Sequence, residues 1–202
     1  WNKPIKDPLS YLKNKIIETK YLSDKREQYS QFMIKQRSIS MGIPSIMSSL
    51  IDLEDYQIEI VSRVLKDPIQ RYLLSDEVGL GKTIEAGIIL KQFVNDTPKN
   101  HKTLIITPPT LVIQWKRELE QRFFLSSEID NKTIEIFILD DFNKIKNIIS
   151  SVKMIIIDEA HHLNRRTHEN LYNLLDQNCR DLKKFLILSA TPVYNNELNY
   201  FE

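Results

Sequence analysis

The sequence is short of cysteine and has no long apolar run. Cys179 is the single cysteine in 202 residues, which excludes an internal disulfide and favours a reducing compartment. No stretch reaches the roughly 18 apolar residues of a membrane-spanning helix, and residues 1–10 lack the apolar segment of a signal peptide. With 42% hydrophobic and 27% charged residues, the composition is that of a globular protein that acts away from membranes.

The net charge of +1 hides an uneven distribution of charged residues. Residues 1–50 carry nine Lys and Arg against four Asp and Glu, whereas the other 152 residues carry 19 against 23. Apolar positions at helical spacing predict one or two amphipathic helices in residues 9–37, and the Ser-rich stretch 38–49 predicts a linker. Residues 1–50 are therefore expected to form a basic helical extension, which either lies along a phosphate backbone or is an ordinary solvated surface.

From residue 51 onward, short apolar runs alternate with helical patterns. The apolar runs suit strands that are buried on both faces of a parallel sheet, and they lie at 72–74, 103–107, 134–139, 154–157 and 185–188. The helical patterns between them lie at 82–95, 110–122, 143–150 and 167–178. This alternation predicts a three-layer α/β domain with a mainly parallel sheet, in which ligands bind beyond the carboxyl ends of the strands.

Glycine is scarce, and its distribution is informative. The chain has four glycines, of which Gly79, Gly81 and Gly87 lie within nine residues. Two of these belong to the segment 76–83, DEVGLGKT, which follows the first predicted strand and precedes a helix. Glycine allows backbone N–H groups to curl around phosphate oxygens, and a helix N-terminus adds partial positive charge. The segment is therefore predicted to be a phosphate-binding loop.

Each position of this loop has an expected role. Backbone N–H groups at Gly79, Leu80 and Gly81 are expected to contact the phosphates of a nucleotide. The Lys82 side chain is placed to reach the β- and γ-phosphates, and the Thr83 hydroxyl is placed to ligate magnesium.

A second predicted site follows the apolar run 154–157, where the chain continues with Asp158 and Glu159. An acidic residue at the end of a buried strand beside a phosphate loop is where a magnesium-holding carboxylate belongs. Asp158 is expected to hold the ion. Glu159 is then positioned to orient and deprotonate the attacking water.

Taken together, these motifs resemble those of the helicase superfamily two ATPases. The loop at 76–83 is accompanied by an Asp-Glu-Ala-His box at 158–161 and a Ser-Ala-Thr motif at 189–191. The stretch RYLLSDEVGLGKTIEAGIIL at 71–90 resembles the Swi/Snf-type DNA translocases, above all their bacterial RapA-like branch. TLIITPPTLVIQWKREL at 103–119 is similar to motif Ia of that group. The loop departs from the usual pattern in one respect, because Asp76 stands where a glycine is common.

The resemblance covers about residues 53–195. It implies that residues 51–202 form the first RecA-like lobe of such an ATPase, in a bacterial or archaeal cytosol. It further implies that Gln57 reads the adenine edge of ATP. Ser189 and Thr191 match the motif that links the box histidine, His161, to the nucleic-acid side.

The same resemblance places nucleic acid against motif Ia. Thr110 and Gln114 match positions near the nucleic-acid backbone, whereas Trp115 is expected to pack in the core. Because Thr110 follows Pro108 and Pro109, it is also expected to be the N-cap of the next helix.

The implied activity is a nucleic-acid-dependent ATPase that uses ATP and Mg²⁺, with a double-stranded DNA translocase as the leading candidate. The alternatives are a strand-separating helicase, the motor subunit of a restriction or phage-defence system, and an ATP-regulated binding module that does not hydrolyse ATP. A second RecA-like lobe, which supplies arginine fingers in this family, has no counterpart before residue 202. Residues 1–202 alone are therefore expected to bind ATP weakly and to hydrolyse it slowly. The sequence does not specify a protein client.

Overall fold

The structure is a computed structural model that describes residues 43–51, 53–75, 81–97, 102–163 and 165–189, together with 21, 24–26 and 28–29. Its contacts divide the chain into two units, residues 1–39 and residues 40–202. In the first unit the described residues are helical, and the rest of the predicted helical region 9–37 lies outside the described residues. The second unit carries the sheet and the predicted site.

Five parallel strands form the sheet, in the order β1-β5-β4-β2-β3. The strands are β1 (Gln70–Leu74), β2 (Lys102–Ile106), β3 (Ile134–Phe137), β4 (Val152–Ile157) and β5 (Lys184–Leu188). Each of the five apolar runs in the sequence therefore overlaps a strand, and the predicted parallel sheet is confirmed. β4 occupies the central position, so that its carboxyl end is flanked by those of β5 and β2.

Among the described residues from 43 onward, seven α-helices are assigned. They are α1 (Pro44–Met47), α2 (Asp55–Lys66), α3 (Lys82–Asp96), α4 (Val112–Gln121), α5 (Ser126–Asp130), α6 (Phe142–Ile148) and α7 (Glu169–Cys179). Three short 3-10 turns join them, at Pro109–Leu111, Ile149–Ser151 and Ala160–His162. In this part of the chain, no helix combines the length and the apolar character needed to cross a bilayer.

The helices cover both faces of the sheet, which gives the predicted three layers. Side chains of a strand alternate between faces, so Ile105 of β2 packs in one core while its neighbours Leu104 and Ile106 pack in the other. The first core contains buried residues of α2, α3 and α4, and the second contains buried residues of α6 and α7. Because both faces are covered, the central strand β4 is apolar at five of its six positions.

One close contact fixes the packing of α3. A Cβ atom at Gly87 would lie 2.4 Å from two ring atoms of Phe123, a residue that is fully buried just after α4. The aromatic ring therefore lies directly on the helix backbone, where no side chain fits. Of the three clustered glycines, Gly87 is required by packing and not by the phosphate loop.

Part of the predicted linker packs on the lobe. The backbone N–H of Ser45 donates to Oε1 of Gln92 on α3 at 3.2 Å, and that of Leu50 donates to the Arg122 carbonyl at 2.8 Å. Ile46 is buried in the same core as α3. The segment 43–50 is ordered by these contacts because its apolar residues find a hydrophobic face, which a Ser-rich composition does not reveal.

Candidate active site

The described site residues lie at the carboxyl edge of the sheet. The backbone N–H of Asp158, directly after β4, donates to the Ile106 carbonyl at the end of β2 at 2.8 Å. The backbone N–H of Ser189, directly after β5, donates to the Leu74 carbonyl at the end of β1 at 3.2 Å. These bonds extend the sheet by one residue at both places. They bring the buried Ser189 beside the strand that leads into the predicted phosphate loop.

The described end of the phosphate loop shows why glycine is needed there. Gly81 has φ 91° and ψ 21°, in the left-handed region, which residues with a side chain adopt only at a cost. It is the N-cap of α3, and its carbonyl accepts from the backbone N–H groups of Ile84 and Glu85. Lys82 and Thr83 therefore begin the helix, with Lys82 buried and Thr83 half-buried. Residues 76–80, and with them Gly79 and Leu80, lie outside the described residues.

Gln57 lies against this loop. Its Oε1 accepts the backbone N–H of Glu54 at 3.1 Å, a bond that closes the first turn of α2. A Cβ atom at Gly81 would lie 2.2 Å from Nε2 of Gln57, so the buried carboxamide touches the loop backbone. That Gln57 reads adenine stays a prediction, and the structure adds that the same side chain packs against the loop backbone.

Asp158 is a buried carboxylate with both oxygens engaged. Its Oδ2 accepts from Nε1 of Trp115 at 2.7 Å, and its Oδ1 accepts from the backbone N–H of Glu159 at 2.9 Å. Burial raises the pKa of the Asp158 carboxyl above its ordinary value, and the charge of Glu159 acts in the same direction. The two hydrogen bonds and the positive charge of Lys82 lower that pKa. Lys82, at the end of the predicted phosphate loop, is therefore close enough to Asp158 of the second predicted site for their opposite charges to attract.

Glu159 has an unusual backbone conformation. Its φ of 47° and ψ of 51° lie in the left-handed region, where it acts as N-cap of the 3-10 turn Ala160–His162. For a residue with a side chain, that conformation stores strain, and such strain clusters at functional sites. Oε2 of Glu159 lies 3.2 Å from Nδ1 of His161. The predicted hydrolytic carboxylate and the predicted coupling histidine are therefore neighbours.

Motif Ia differs in part from the sequence prediction. Thr110 was expected to cap the following helix, and this expectation is wrong. Pro109 occupies the first position of the 3-10 turn Pro109–Leu111, for which Pro108 is the N-cap, and α4 begins after it without a side-chain cap. Proline is well suited to the first helical position, and this moves Thr110 inside the turn.

The outward-facing and inward-facing residues of motif Ia are clearly separated. Thr110 and Gln114 are exposed, whereas Trp115 is 1% exposed, as its prediction as a core residue requires. The hydrogen bond from Trp115 to Asp158 was not predicted. A buried indole N–H needs an acceptor, so the sequence signalled that a partner exists without indicating which one. Thr191 lies outside the described residues.

A family model and curated relatives match the chain. Residues 50–194 match the model described as "Type III restriction enzyme, res subunit". The "Uncharacterized ATP-dependent helicase YqhH" of Bacillus subtilis is 34% identical over 155 residues, covering 69% of this chain and 26% of that protein. The "RNA polymerase-associated protein RapA" of Pasteurella multocida is 32% identical over 203 residues, covering 86% of this chain and 20% of that protein. The chain thus spans about a quarter of the first relative and a fifth of the second.

Solved structures share the fold. The Sulfolobus solfataricus SWI2/SNF2 ATPase core, solved in complex with dsDNA, matches with a TM-score of 0.60 and 19% identity over 76% of this chain and 35% of that chain. The UvsW helicase from bacteriophage T4 matches with a TM-score of 0.55 and 16% identity over 70% of this chain and 53% of that chain. At these identities the matches concern the fold, which is the RecA-like α/β fold.

Proposed function

Because this chain belongs to the helicase superfamily two ATPases of the Swi/Snf-like kind, as the match to the res-subunit model and the similarity to RapA together show, we propose that it is the ATP-binding lobe of a double-stranded DNA translocase. The observation that carries the proposal is the carboxyl edge of the sheet. There the positive charge of the loop residue Lys82 lowers the pKa of the Asp158 carboxyl. Glu159 is the next residue in the chain after Asp158. These are the groups that a Mg²⁺-dependent nucleotide hydrolase needs.

The residues present fit magnesium and a triphosphate. Asp158 supplies hard oxygen ligands, and each oxygen accepts one hydrogen bond, which leaves lone pairs for a cation. Thr83 adds a hydroxyl in the first turn of α3. Lys82 binds the β- and γ-phosphates, and the N-terminus of α3 favours their negative charge. The bound ion supplies charge neutralisation at the transferring phosphate.

The remaining site residues have separate roles in this proposal. Glu159 orients the attacking water and accepts its proton. Gln57 contacts the adenine and keeps the loop in place through Gly81. The state of the nucleotide is communicated to the nucleic-acid side by His161, Ser189 and Thr191.

The nucleic-acid side of the proposal rests on the exposed surface of motif Ia. Thr110 and Gln114 are exposed there, and the neighbouring Lys116 and Arg117 of α4 are exposed as well. Hydroxyl, amide and basic groups of this kind contact phosphates without reading bases. A similar fold was solved in complex with dsDNA, which supports double-stranded DNA as the track. Affinity is then expected to fall steeply with salt.

A second RecA-like lobe completes the proposed enzyme, in a cytosolic setting that suits its buried free thiol. Arginine fingers from such a lobe account for roughly 10³–10⁵ in rate. Residues 1–202 alone are therefore expected to bind ATP weakly and to turn it over slowly. The motor of a restriction or phage-defence system is the second candidate, which the res-subunit match favours. A strand-separating helicase uses the same site, whereas a non-hydrolysing module has no need of Glu159.

The test is Glu159→Gln in the full-length protein, with Glu169→Gln on the exposed start of α7 as the matched control. ATP hydrolysis stimulated by double-stranded DNA is expected to fall by about 10²–10⁴, while nucleotide binding persists. The control is expected to behave as wild type. Translocation is measured in parallel by displacement of a triplex-forming strand. Unchanged hydrolysis or unchanged displacement in Glu159→Gln would reject the proposal.

A further inference from the structure

Trp115 connects two elements that are far apart in the sequence. It lies on α4 and is 1% exposed, and its Nε1 is 2.7 Å from Oδ2 of Asp158, 43 residues further along the chain. A hydrogen bond to a charged acceptor is about twice as strong as one between neutral groups. The indole is therefore a substantial partner of this carboxylate, and burial shields their bond from competition by water.

The bond fixes the direction in which the carboxylate points. The other oxygen, Oδ1, accepts from the backbone of Glu159, the next residue in the chain. One bond is thus local to the turn, while the bond from Trp115 is made by a separate helix. With only the local bond, the carboxylate retains freedom to rotate about its Cβ–Cγ bond. With both bonds, the remaining lone pairs have one orientation.

The indole itself is held by packing. Trp115 belongs to the hydrophobic core that α3 and α4 form against the sheet. Leu119, four residues later on the same face of α4, is fully buried in that core. The preceding residue, Gln114, is exposed. One short helix therefore presents a surface to solvent and, at the adjacent position, a rigid donor to the carboxylate.

The geometry points to Trp115 as a positioning residue for the magnesium-binding carboxylate Asp158, and so to α4 as a direct structural connection between the exposed residues of motif Ia, such as Gln114, and the metal site. This inference rests on the proposed function, since it assumes that Asp158 holds the ion. Partners that orient a metal ligand typically contribute 10–100-fold to metal affinity or activity. Trp115 therefore contributes to ion binding without touching the ion.

The inference is tested by removing the N–H while retaining the ring. In the full-length protein, Trp115 is replaced by benzothienylalanine, which has nearly the same shape and no N–H. The second variant is Trp115→Phe. Binding of a fluorescent ATP analogue is titrated with Mg²⁺. In both variants the half-saturating Mg²⁺ concentration is expected to rise about tenfold, while binding without Mg²⁺ stays at the wild-type level. Leu119→Ala, which damages the same face of α4, is expected to leave the Mg²⁺ dependence unchanged.

The outcomes separate the inference from the proposed function. If the wild type binds nucleotide without any dependence on Mg²⁺, the proposed function fails. If the wild type depends on Mg²⁺ and the benzothienylalanine protein has the same half-saturation, the inference alone is overturned. An equal shift in Leu119→Ala also overturns it, because the effect is then general loss of packing.

A measurement on the unmodified chain covers the case in which the substitutions impair folding. In a sample with ¹⁵N-labelled tryptophan, the indole N–H signal of Trp115 is expected downfield and slow to exchange with solvent. It is expected to move when Mg²⁺ is added to the nucleotide-bound chain, because the acceptor oxygen then shares its charge with the ion. An indole signal that does not respond to Mg²⁺ under conditions of bound nucleotide overturns the inference.

Discussion

The Gln57 carboxamide lies directly against the backbone of Gly81. The added Cβ of an alanine at position 81 would approach Nε2 of Gln57 to 2.2 Å. The glutamine also accepts a hydrogen bond from Glu54 at the start of α2. A change at the loop is therefore transmitted to the first turn of α2.

Substitution of Gly81 by alanine is expected to impair both the fold and the site. The left-handed conformation at φ 91° costs a residue with a Cβ about 1–2 kcal/mol. The displaced Gln57 also loses its bond to Glu54. We expect the free energy of unfolding to fall in chemical denaturation by more than the backbone strain of about 1–2 kcal/mol, and nucleotide binding to be lost in a fluorescence titration. Adding Gln57→Ala removes the collision but not the backbone strain, so the double variant is expected to recover only part of the stability. Full recovery would contradict the role of the backbone conformation.

Gly87 is expected to behave differently from Gly81, although both lie near the loop in sequence. An alanine at position 87 overlaps the Phe123 ring, whose nearest atoms would be 2.4 Å away. Overpacking of this kind costs about 1–3 kcal/mol. We expect that loss of stability in thermal unfolding, while the affinity for nucleotide of the folded protein is retained. In the double variant with Phe123→Leu the two losses are expected to be less than additive, and strict additivity would show that the ring is not the obstacle.

The conformation of Glu159 predicts an unusual order of stability. Glu159→Gly and Glu159→Ala both remove the carboxylate, so both are expected to abolish stimulated ATP hydrolysis. Only glycine adopts φ 47° and ψ 51° without strain. The glycine variant is therefore expected to be more stable than the alanine variant by about 1 kcal/mol, measured by urea unfolding monitored by circular dichroism. In a helix interior or a strand, a glycine variant is less stable than an alanine variant. If Glu159→Gly were less stable than Glu159→Ala, the left-handed conformation assigned to residue 159 would be contradicted.

The buried thiol of Cys179 gives a pH-dependent prediction. Burial raises its pKa from 9.0 to about 11, and the nearby charge of Arg71 opposes part of that shift. At pH 8 only about a thousandth of the native thiol is ionised, so modification by a thiol reagent is expected to be far slower than in urea. Because the folded pKa exceeds the unfolded one, the stabilising contribution is complete below pH 9 and is lost as the pH rises through about 11. Cys179→Ala is expected to lose less stability than the wild type as the pH rises from 9 to about 11. Identical profiles of stability against pH in the two proteins would refute this prediction.

The sheet was predictable from the sequence because its central strands are buried on both faces. Runs such as 154–157 are apolar at every position, and a parallel sheet between two layers of helices is the arrangement that requires this. The helix that begins at Lys82, directly after Gly81, was predictable for a related reason. Phosphate binding restricts the backbone and the charge locally, so the pattern lies within a few consecutive residues.

What escaped prediction depends on contacts between distant residues. Trp115 was expected in the core, but its acceptor Asp158 lies 43 residues away, and composition does not encode that distance. The cap at Thr110 was predicted from residue type, whereas the adjacent Pro109 starts the turn one position earlier. Gly87 was noted only for its clustering with Gly79 and Gly81, and the packing of Phe123 against it reveals its role.

The pairing of β1 has a consequence for how the protein is made. Among the described strands, β1 is bonded only to β5, whose last residue, Leu188, comes 114 positions after Leu74. At the usual pace of a ribosome this interval lasts roughly 6 to 23 seconds. Throughout that time the strand that leads into the nucleotide loop has no neighbour to pair with, while β2, β3 and β4 are already able to assemble. The carboxyl edge of the sheet is therefore completed only after β5 has been made, and until then the nascent chain leaves the strand that leads into the predicted loop without its partner.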